Sequence, residues 1–234
     1  MTVPHQWGTA PEFVGPRHEL RERLLLDLFL SGKPGARVLN AGAGQGTFTR
    51  LLEERGFDVV STDVEPAAVG VLRRSVAGEI VEADVTTLPF TDASFDAAVL
   101  GEVLEHVDDR AALREIARVL LPRGVLALSV PAGPEHFGPS DTWAGHLRRY
   151  ARADLVRVCE EAGFVVERCL PWGFPVAALY HRHLYERHVE RHGSAQPGRF
   201  RRPAFALLRT ALQVDRLFVG VERGALGYLV LARR

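Results

Sequence analysis

The chain has 234 residues, and its 29 basic and 29 acidic side chains give a formal net charge of zero. Hydrophobic residues make up 47% and charged residues 25%, the composition of an ordinary globular protein with material for a large core. These figures exclude a disordered chain and a collagen-like repeat, and the two cysteines are too few for a disulfide scaffold. The balanced charge also argues against general nucleic-acid binding, which normally needs a basic excess.

The first residues and the apolar stretches give no sign of secretion or of a membrane. The opening segment 1–13 lacks the basic region and the apolar run of a signal peptide. The most apolar late stretch, 204–221, is interrupted by Arg209, Asp215 and Arg216, which argues against a membrane-spanning helix. We therefore expect a cytoplasmic protein with no transmembrane segment.

Short apolar strands alternate with amphipathic helices along most of the chain. The strands are predicted at 38–41, 57–62, 80–83, 95–100, 125–130, 164–169 and 227–232, and the helices at 16–30, 47–55, 66–76, 110–120 and 153–162. This alternation predicts a parallel sheet that is covered by helices on both faces.

The alternation is broken by a long segment with little strand character, so we divide the chain into a core with additions. The predicted units are a helical cap at 1–35, a core at 36–173, a helical insertion at 174–223 and a final core strand at 224–234. Within the insertion, residues 181–202 carry six Arg and four His. A substrate lid, a partner surface, a homodimer seam, a membrane-surface contact and a solvated helix all remain open for it.

A glycine-rich turn follows the first predicted strand, 38–41. Gly42, Gly44 and Gly46 provide positions without a Cβ, which permit positive φ angles and a close approach of a ligand to the backbone. The spacing is G-x-G-x-G, whereas the dinucleotide fingerprint needs its third glycine at position 47, which is Thr47. The spacing therefore disfavours an NAD-linked dehydrogenase.

Two acidic residues follow the next two predicted strands. Asp63 comes about 21 residues after the first glycine of the turn, where a carboxylate can accept hydrogen bonds from ribose hydroxyls. Asp84 follows the third strand, in position to meet an adenine amino group.

Further motifs follow in order over residues 36–130. They are Ser61-Thr62-Asp63, Glu82-Ala83-Asp84-Val85, Leu88-Pro89-Phe90, Ser94-Phe95-Asp96, Glu102-Val103-Leu104-Glu105-His106-Val107 and Arg118-Val119-Leu120-Leu121-Pro122-Arg123-Gly124. With the glycine turn, this set resembles the class I S-adenosylmethionine-dependent methyltransferases, in the broad group that includes the ubiquinone O-methyltransferases. The resemblance implies a doubly wound, Rossmann-like α/β fold with a seven-stranded sheet and S-adenosylmethionine as cofactor.

The resemblance also implies which residues contact that cofactor. It places Gly42, Gly44 and Gly46 around the methionine part, and Asp63 with the adjoining Val64 at the ribose. It places Asp84 and Val85 at the adenine and Gly101 near the sulfonium. Arg17 resembles an arginine that pairs with the cofactor carboxylate in relatives, although it could equally be a solvated residue. Asn40 stands where the family usually has an acid, so it can accept a hydrogen bond from the cofactor ammonium but adds no charge.

Glu102, Glu105 and His106 follow the fourth strand at positions i, i+3 and i+4. In a helix they would lie within an arc of about 100°, and such a set can bind Mg²⁺ or another divalent metal that lowers the pKa of a substrate hydroxyl. In ubiquinone O-methyltransferases a similar run is joined by a later His, for which His146 is the candidate and His136 a weaker one. Alternatively, His106 or His146 acts as a base without a metal, or these residues make ordinary polar contacts.

Residues 130–150 resemble a bacterial methyltransferase subgroup with a His-x-Arg-Arg-Tyr signature. Arg148 and Arg149 could bind a carboxylate or phosphate of the substrate, with Tyr150 beside them, although surface arginines are an equal alternative.

The resulting hypothesis is an S-adenosylmethionine-dependent O-methyltransferase (EC 2.1.1) that acts on a small-molecule acceptor, such as a natural-product or sugar-containing intermediate of secondary metabolism. His106 or His146 would deprotonate the acceptor. An N-methyltransferase, which needs no strong base, and a cofactor-binding interaction protein without catalysis are the alternatives.

Overall fold

The computed structural model describes residues 15–192 and 202–234. The seven strands are β1 Arg37–Ala41, β2 Asp58–Asp63, β3 Glu79–Glu82, β4 Phe95–Gly101, β5 Leu120–Pro131, β6 Val165–Trp172 and β7 Gly227–Arg233. The helices are α1 Pro16–Ser31, α2 Thr47–Glu53, α3 Pro66–Ser75, α4 Asp109–Val119, α5 Pro139–Ala144, α6 Arg152–Glu161, α7 Val176–Tyr180, α8 Glu186–His192 and α9 Arg202–Ala211. Short 3₁₀ segments cover Leu104–His106, Pro134–His136 and Leu212–Phe218, and a π-helical turn, His181–Tyr185, joins α7 to α8.

These strands form one sheet in the order β3-β2-β1-β4-β5-β7-β6, which confirms the expected seven-stranded α/β fold. The prediction of a wholly parallel sheet is wrong for one strand, because β7 pairs antiparallel with both β5 and β6. The reason lies in the connection 173–226: Trp172, at the end of β6, pairs with Gly227, at the start of β7. The connection therefore leaves and re-enters the sheet at the same edge, and the chain must run back along β6.

Both faces of the sheet are buried, as the alternation of strands and helices predicted. In β4 the fully buried Ala98 and Leu100 pack in a cluster with α4 and α6, whereas Ala97 and Val99 pack in a second cluster with α1. Since the central strands are covered on both sides, open space for a ligand lies at the carboxyl edge of the sheet.

The cap helix α1 and the insertion are joined to each other as well as to the sheet. Arg209 and Arg216 of the insertion form ion pairs with Glu19 and Asp27 of α1, at 2.6 and 2.7 Å. The structure describes the predicted Arg- and His-rich segment 181–202 only as far as residue 192 and again at 202, and residues 1–14 of the predicted cap also lie outside the described residues. The domain division and a homodimer through the insertion stay predictions. Of the helices within 15–192 and 202–234, none is long and apolar enough to cross a membrane.

A buried carboxylate fixes the start of α7 in the insertion. Asp215 is fully buried and accepts hydrogen bonds from the backbone N–H groups of Val176 and Ala177, both at 2.8 Å. These are first-turn donors that have no partner within their own helix.

We expect Asp215→Ala to lower the free energy of unfolding by about 1–2 kcal/mol, the usual cost of removing a helix-capping side chain. Asp215→Asn keeps one acceptor oxygen and should lose less. Denaturant unfolding followed by circular dichroism measures both, with Asp154→Ala as control, because Asp154 is exposed and pairs with Arg157 on the surface. A control that lost as much as Asp215→Ala would contradict the capping role.

Candidate active site

The three glycines of the turn after β1 all have positive φ angles, of 71°, 53° and 75° at Gly42, Gly44 and Gly46. A Cβ on Gly42 would lie 2.5 Å from Val103 Cγ2, and one on Gly46 would lie 2.7 Å from Val76 Cγ1. At Gly44 a Cβ would have no atom within 4 Å. Two of the glycines therefore allow the turn to pack, and Gly44 is where a ligand can approach the backbone.

Two carboxylates beside this turn are held by backbone donors. Asp63 Oδ2 accepts from the Gly44 N–H at 2.8 Å, and its Oδ1 accepts from the Glu65 N–H at 3.0 Å. Asp84 Oδ1 accepts from the backbone N–H and the hydroxyl of Thr86, both at 2.8 Å. The geometry thus fixes each carboxylate at the edge where the resemblance implies ribose and adenine.

A cavity of about 560 Å³ opens at this edge, within the usual size of a small-ligand site. Most of the predicted cofactor residues line it: Arg17, Asn40, Gly42, Gly44, Asp63, Val64, Asp84, Val85 and Gly101. Gly46 is the exception, because it packs against Leu72 and Val76. The open backbone at Gly44 and the fixed carboxylate of Asp63 suit a ligand that has both a hydroxylated sugar and an amino-acid part.

Asn40 has a role in the core that the sequence did not indicate. Its side-chain amide is buried and donates to Thr49 Oγ1 at 2.9 Å, and that hydroxyl is 2.8 Å from Ser61 Oγ. The chain of hydrogen bonds joins β1, α2 and β2 just below the glycine turn. Asn40 therefore supports the turn besides lining the cavity.

Sequence reasoning missed Glu22, a buried acid of α1 that also lines the cavity. The hydroxyl of Thr47, directly after the glycine turn, donates to it, and His18 Nε2 lies 3.0 Å from its Oε1. Although burial opposes the shift, these contacts and Arg21 lower the pKa of Glu22. Glu22 thus places a negative charge near the turn, where Asn40 supplies none.

The insertion and α1 close the other side of the cavity. Arg17 of α1 donates from Nη1 to His181 Nδ1 at 2.9 Å, and its guanidinium lies 5.0 Å from the centre of the Tyr185 ring. Burial, and then the charge of Arg17, lower the pKa of His181 to about 4. His181 is therefore a neutral hydrogen-bonding link at neutral pH, and Arg17 contacts the insertion as well as the cavity.

The predicted single helical face at 102–106 does not form. Glu102 has a φ of 61°, and the helical segment after it is one 3₁₀ turn, Leu104–His106, so the three residues do not share one helical face. Glu102 Oε2 lies 3.4 Å from Arg21 Nη1. Although burial opposes it, Arg21 lowers the pKa of Glu102. Glu102 is therefore ion-paired with α1.

Glu105 and His106 turn instead toward His146. Both oxygens of Glu105 are buried without a hydrogen-bond partner in the described part of the chain, and burial with the nearby Glu102 raises its pKa well above the usual range. Burial, and then His146, lower the pKa of His106 to about 4. One potential ligand atom from each of Glu105, His106 and His146 lies within 4.8 Å of the others.

The weaker metal candidate, His136, does not join this group. It lies in the 3₁₀ turn Pro134–His136, where Arg182 Nη2 is 2.9 Å from its Nε2, and it lines a separate cavity of about 180 Å³. Of the predicted metal ligands, the geometry brings together Glu105, His106 and His146, and it places neither Glu102 nor the alternative His136 with them.

Of the three residues predicted to bind the substrate, one reaches the cavity. Arg148 pairs with Asp109 at 2.8 Å, and the buried Tyr150 hydroxyl donates to Asp109 Oδ2 at 2.9 Å and to the Leu104 carbonyl at 3.1 Å. Neither Arg148 nor Tyr150 lines the cavity. Through Asp109, both instead fix the 145–150 segment to α4. Arg149 lines it, but its guanidinium is already paired with the buried Asp141.

His146 is held by the same carboxylate. Its Nδ1 lies 2.7 Å from Asp141 Oδ1, and its ring lies edge-on to that of His106 with 4.8 Å between centroids. Although burial opposes it, hydrogen bonds from His146 and Arg149 lower the pKa of Asp141 to about 2. An ionised carboxylate thus supports an imidazole that lines the cavity, a pair that can accept a proton from a bound ligand.

Comparison with known proteins agrees with this geometry. Residues 39–128 match the family model of the methyltransferase domain. A demethylmenaquinone methyltransferase of Renibacterium salmoninarum is 37% identical over 122 residues, which are 51% of this chain and 51% of that protein. A malonyl-[acyl-carrier protein] O-methyltransferase of Serratia marcescens is 35% identical over 115 residues, 48% of this chain and 45% of that protein. The chain spans about half the length of these curated relatives.

The fold is shared over nearly the whole chain. The crystal structure of an S-adenosylmethionine-dependent methyltransferase from Mesorhizobium loti is similar with a TM-score of 0.62 and 18% identity, covering 94% of this chain and 100% of that one. At that identity the likeness shows the fold alone. The domain match assigns residues 39–128 to a methyltransferase domain, and the curated relatives are methyltransferases. The narrower resemblance to the ubiquinone O-methyltransferases stays a prediction.

Proposed function

We propose that this protein is a cytoplasmic S-adenosylmethionine-dependent methyltransferase that methylates a hydroxyl of a small molecule of secondary metabolism, such as a natural-product or sugar-containing intermediate. The observation that carries the proposal is the position of His146. Supported by Asp141, it lines the same cavity as the glycine turn and Asp63. The glycine turn, Asp63 and a supported imidazole therefore share one cavity.

The cofactor side of the cavity would hold S-adenosylmethionine through the backbone at Gly44, the Asp63 carboxylate and the Asp84–Val85 segment. Glu22 and Asn40 are the polar groups available to its ammonium, and Arg17 or Arg21 to its carboxylate. When bound, the cofactor supplies a methyl group on a sulfonium sulfur that leaves as a neutral thioether. The chain then has to hold the acceptor in line and to take up a proton.

His146 suits the second task better than His106 does. With its pKa lowered to about 4, His106 binds a proton weakly at neutral pH and is a poor base for a hydroxyl. His146 is paired with an ionised carboxylate, which stabilises the imidazolium that forms when the proton arrives. A hydroxyl acceptor needs such a group, whereas an amine that arrives neutral needs none. The O-methyltransferase among the relatives is consistent with an oxygen acceptor.

Transfer of a radiolabelled methyl group to a panel of phenols, sugar alcohols, carboxylates and amines tests the proposal. We expect hydroxyl compounds to be methylated in preference to amines of similar size. Preference for amines would favour the N-methyltransferase, and preference for carboxylates would remove the need for a base. No transfer to any member, with tight binding of S-adenosylhomocysteine, would favour the cofactor-binding interaction protein.

A metal-assisted form of the same reaction is favoured by Glu105. Its two buried oxygens lack partners in the described part of the chain, and with His106 and His146 they form a donor set that suits a divalent cation. A cation bound there would polarise the acceptor hydroxyl and replace His146 as the group that promotes proton loss. Without a cation, burial and the nearby Glu102 raise the pKa of Glu105 well above its usual range.

Calorimetric titration with Mg²⁺ and activity after chelation distinguish the two forms. In the metal-assisted form, chelation should lower the rate of methyl transfer at least about tenfold, Mg²⁺ should restore it, and Glu105→Gln should abolish Mg²⁺ binding. Glu102→Gln is the matched control, because Glu102 lies outside the donor set. Absence of Mg²⁺ binding together with full activity after chelation would rule out the metal.

A further inference from the structure

The segment 138–150 contains polar residues that the proposed cofactor site does not account for. Within it, Asp141, Gly145, His146 and Arg149 form one compact unit around a single carboxylate. Asp141 is fully buried and accepts from His146 Nδ1 at 2.7 Å, from Arg149 Nε at 2.8 Å and from the Gly138 N–H at 2.8 Å.

The local sequence dictates this arrangement. α5 ends at Ala144, and Gly145, with a φ of 74°, turns the chain back. The turn lets the His146 N–H donate to the Asp141 carbonyl at 2.9 Å, so that residues five and eight positions after Asp141 return to its side chain. Only glycine adopts this conformation without strain.

We propose that Asp141 is a positioning residue that holds His146 in the tautomer protonated on Nδ1, with Arg149 as the buried counter-ion of Asp141. Nε2 is then the ring nitrogen that carries the lone pair. An ionised Asp141 can only accept hydrogen bonds, so Nδ1 of a neutral His146 must be the protonated nitrogen. Within the described residues, the hydrogen-bond partner of the His146 ring is Asp141, and it lies at Nδ1.

Arg149 explains how a carboxylate can be kept charged in this position. Its side chain is 5% exposed and that of Asp141 is 1%, and their closest oxygen and nitrogen atoms are 2.8 Å apart. A buried carboxylate without such a partner would be costly, and the pair is geometrically specific because Nε and Nη2 both face Asp141. The role that the sequence suggested for Arg149, binding the substrate, is thus replaced by holding Asp141.

The insertion braces the same unit. Glu186 accepts from the Ser140 N–H at 3.1 Å and from the Ser140 hydroxyl, which fixes the first turn of α5. His181 Nε2 lies 3.0 Å from Glu186 Oε1. The segment 138–150 and the insertion therefore both help to fix the orientation of one imidazole.

The catalytic consequence rests on the proposed O-methyl transfer. As the acceptor oxygen bonds to the methyl carbon and the carbon–sulfur bond breaks, the hydroxyl proton passes to Nε2 of His146. The proton on Nδ1 stays hydrogen-bonded to Asp141, and the resulting imidazolium is paired with that carboxylate. The proton leaves later from Nε2 to solvent, which restores the starting tautomer.

Long-range ¹H–¹⁵N correlation spectra of the full chain with ¹⁵N-labelled histidine test the tautomer directly. The spectra are recorded at about pH 8.5, roughly two units above the ordinary pKa of an imidazole. The His146 signal is identified as the one that His146→Gln removes. We expect the pattern of a ring protonated on Nδ1 in the wild-type protein. In Asp141→Ala we expect the pattern of the Nε2 tautomer or of rapid exchange between the two.

Asp109→Asn is the matched control. Asp109 is also a carboxylate that pairs with an arginine of the same segment, but its partners are Arg148 and Tyr150 rather than Arg149 and His146. It should leave the His146 signal unchanged. With a hydroxyl acceptor in hand, Asp141→Ala should lower kcat at least about tenfold with little change in the affinity for S-adenosylhomocysteine, and Asp141→Glu should recover part of the loss.

A wild-type His146 protonated on Nε2 would overturn the proposal without any variant, as would an unchanged tautomer in Asp141→Ala. The spectra report on Asp141 alone, whereas methyl transfer to hydroxyls that survives His146→Gln would refute the base in the proposed function. The two failures are therefore distinguishable.

Discussion

Gly44→Leu is expected to lower the affinity for S-adenosylhomocysteine by at least about tenfold, or about 1.4 kcal/mol of binding free energy. A Cβ at this position meets no protein atom within 4 Å, and Gly44 lines the cavity, so the leucine side chain would extend into the space that the cofactor needs. A leucine at the positive φ of 53° would also strain the backbone. Isothermal titration calorimetry measures the affinity.

Gly56→Leu separates these two effects. Gly56 has a φ of 83°, and a Cβ there, like one at Gly44, would meet no atom within 4 Å. Unlike Gly44, it is exposed and does not line the cavity. Both variants should lose a similar free energy of unfolding, about 1–2 kcal/mol. Only Gly44→Leu should lose affinity, and equal affinities in the two variants would contradict the assignment of the cavity to the cofactor.

His146→Gln is expected to lower kcat for a hydroxyl acceptor by about 10²–10⁴-fold, the usual contribution of a positioned general base. Glutamine has similar volume and hydrogen-bonding groups but cannot take up a proton at neutral pH. The cofactor affinity should change little, because Asp63, Asp84 and the glycine turn are untouched. Steady-state rates of methyl transfer at saturating cofactor provide the measurement.

His136→Gln is the matched histidine control. His136 is exposed in the separate smaller cavity and pairs with Arg182 and Glu135, so the rate should stay within about twofold of the wild type. An amine acceptor offers a second control within the same variant, since its methylation should not depend on His146. A hydroxyl acceptor that is methylated at the wild-type rate by His146→Gln would leave the protein without the proposed base.

The sheet and the acids at its carboxyl edge could be predicted from sequence because the signals are local. Short apolar strands, helical spacing and the G-x-G-x-G turn are each encoded within a few neighbouring residues. Asp63 and Asp84 follow their strands directly, and parallel strands bring such positions to one edge. These expectations agree with the observed strands to within a few residues.

The rest of the cavity could not be predicted in the same way, because its contacts join residues that are far apart in the chain. Glu22 meets Thr47 across 25 residues, and Arg17 meets His181 across 164 residues. The prediction that Glu102 shares a helical face with Glu105 and His106 failed for a different reason. Glu102 has a positive φ, so it does not belong to a helix with them. In the 145–150 segment, the resemblance pointed to Arg148, Arg149 and Tyr150 but not to their partners, Asp109 and Asp141.

The paired ends of β6 and β7 also bear on how this protein can be re-engineered. Since Trp172 and Gly227 are neighbours in the sheet, the intervening segment is a closed excursion whose two ends stay fixed by the seven-residue ladder between the strands. The entropic cost of closing such a loop grows only slowly with its length. Exchanging 173–226 for a segment of different length can therefore change the lining of the cavity while the paired strands keep their register.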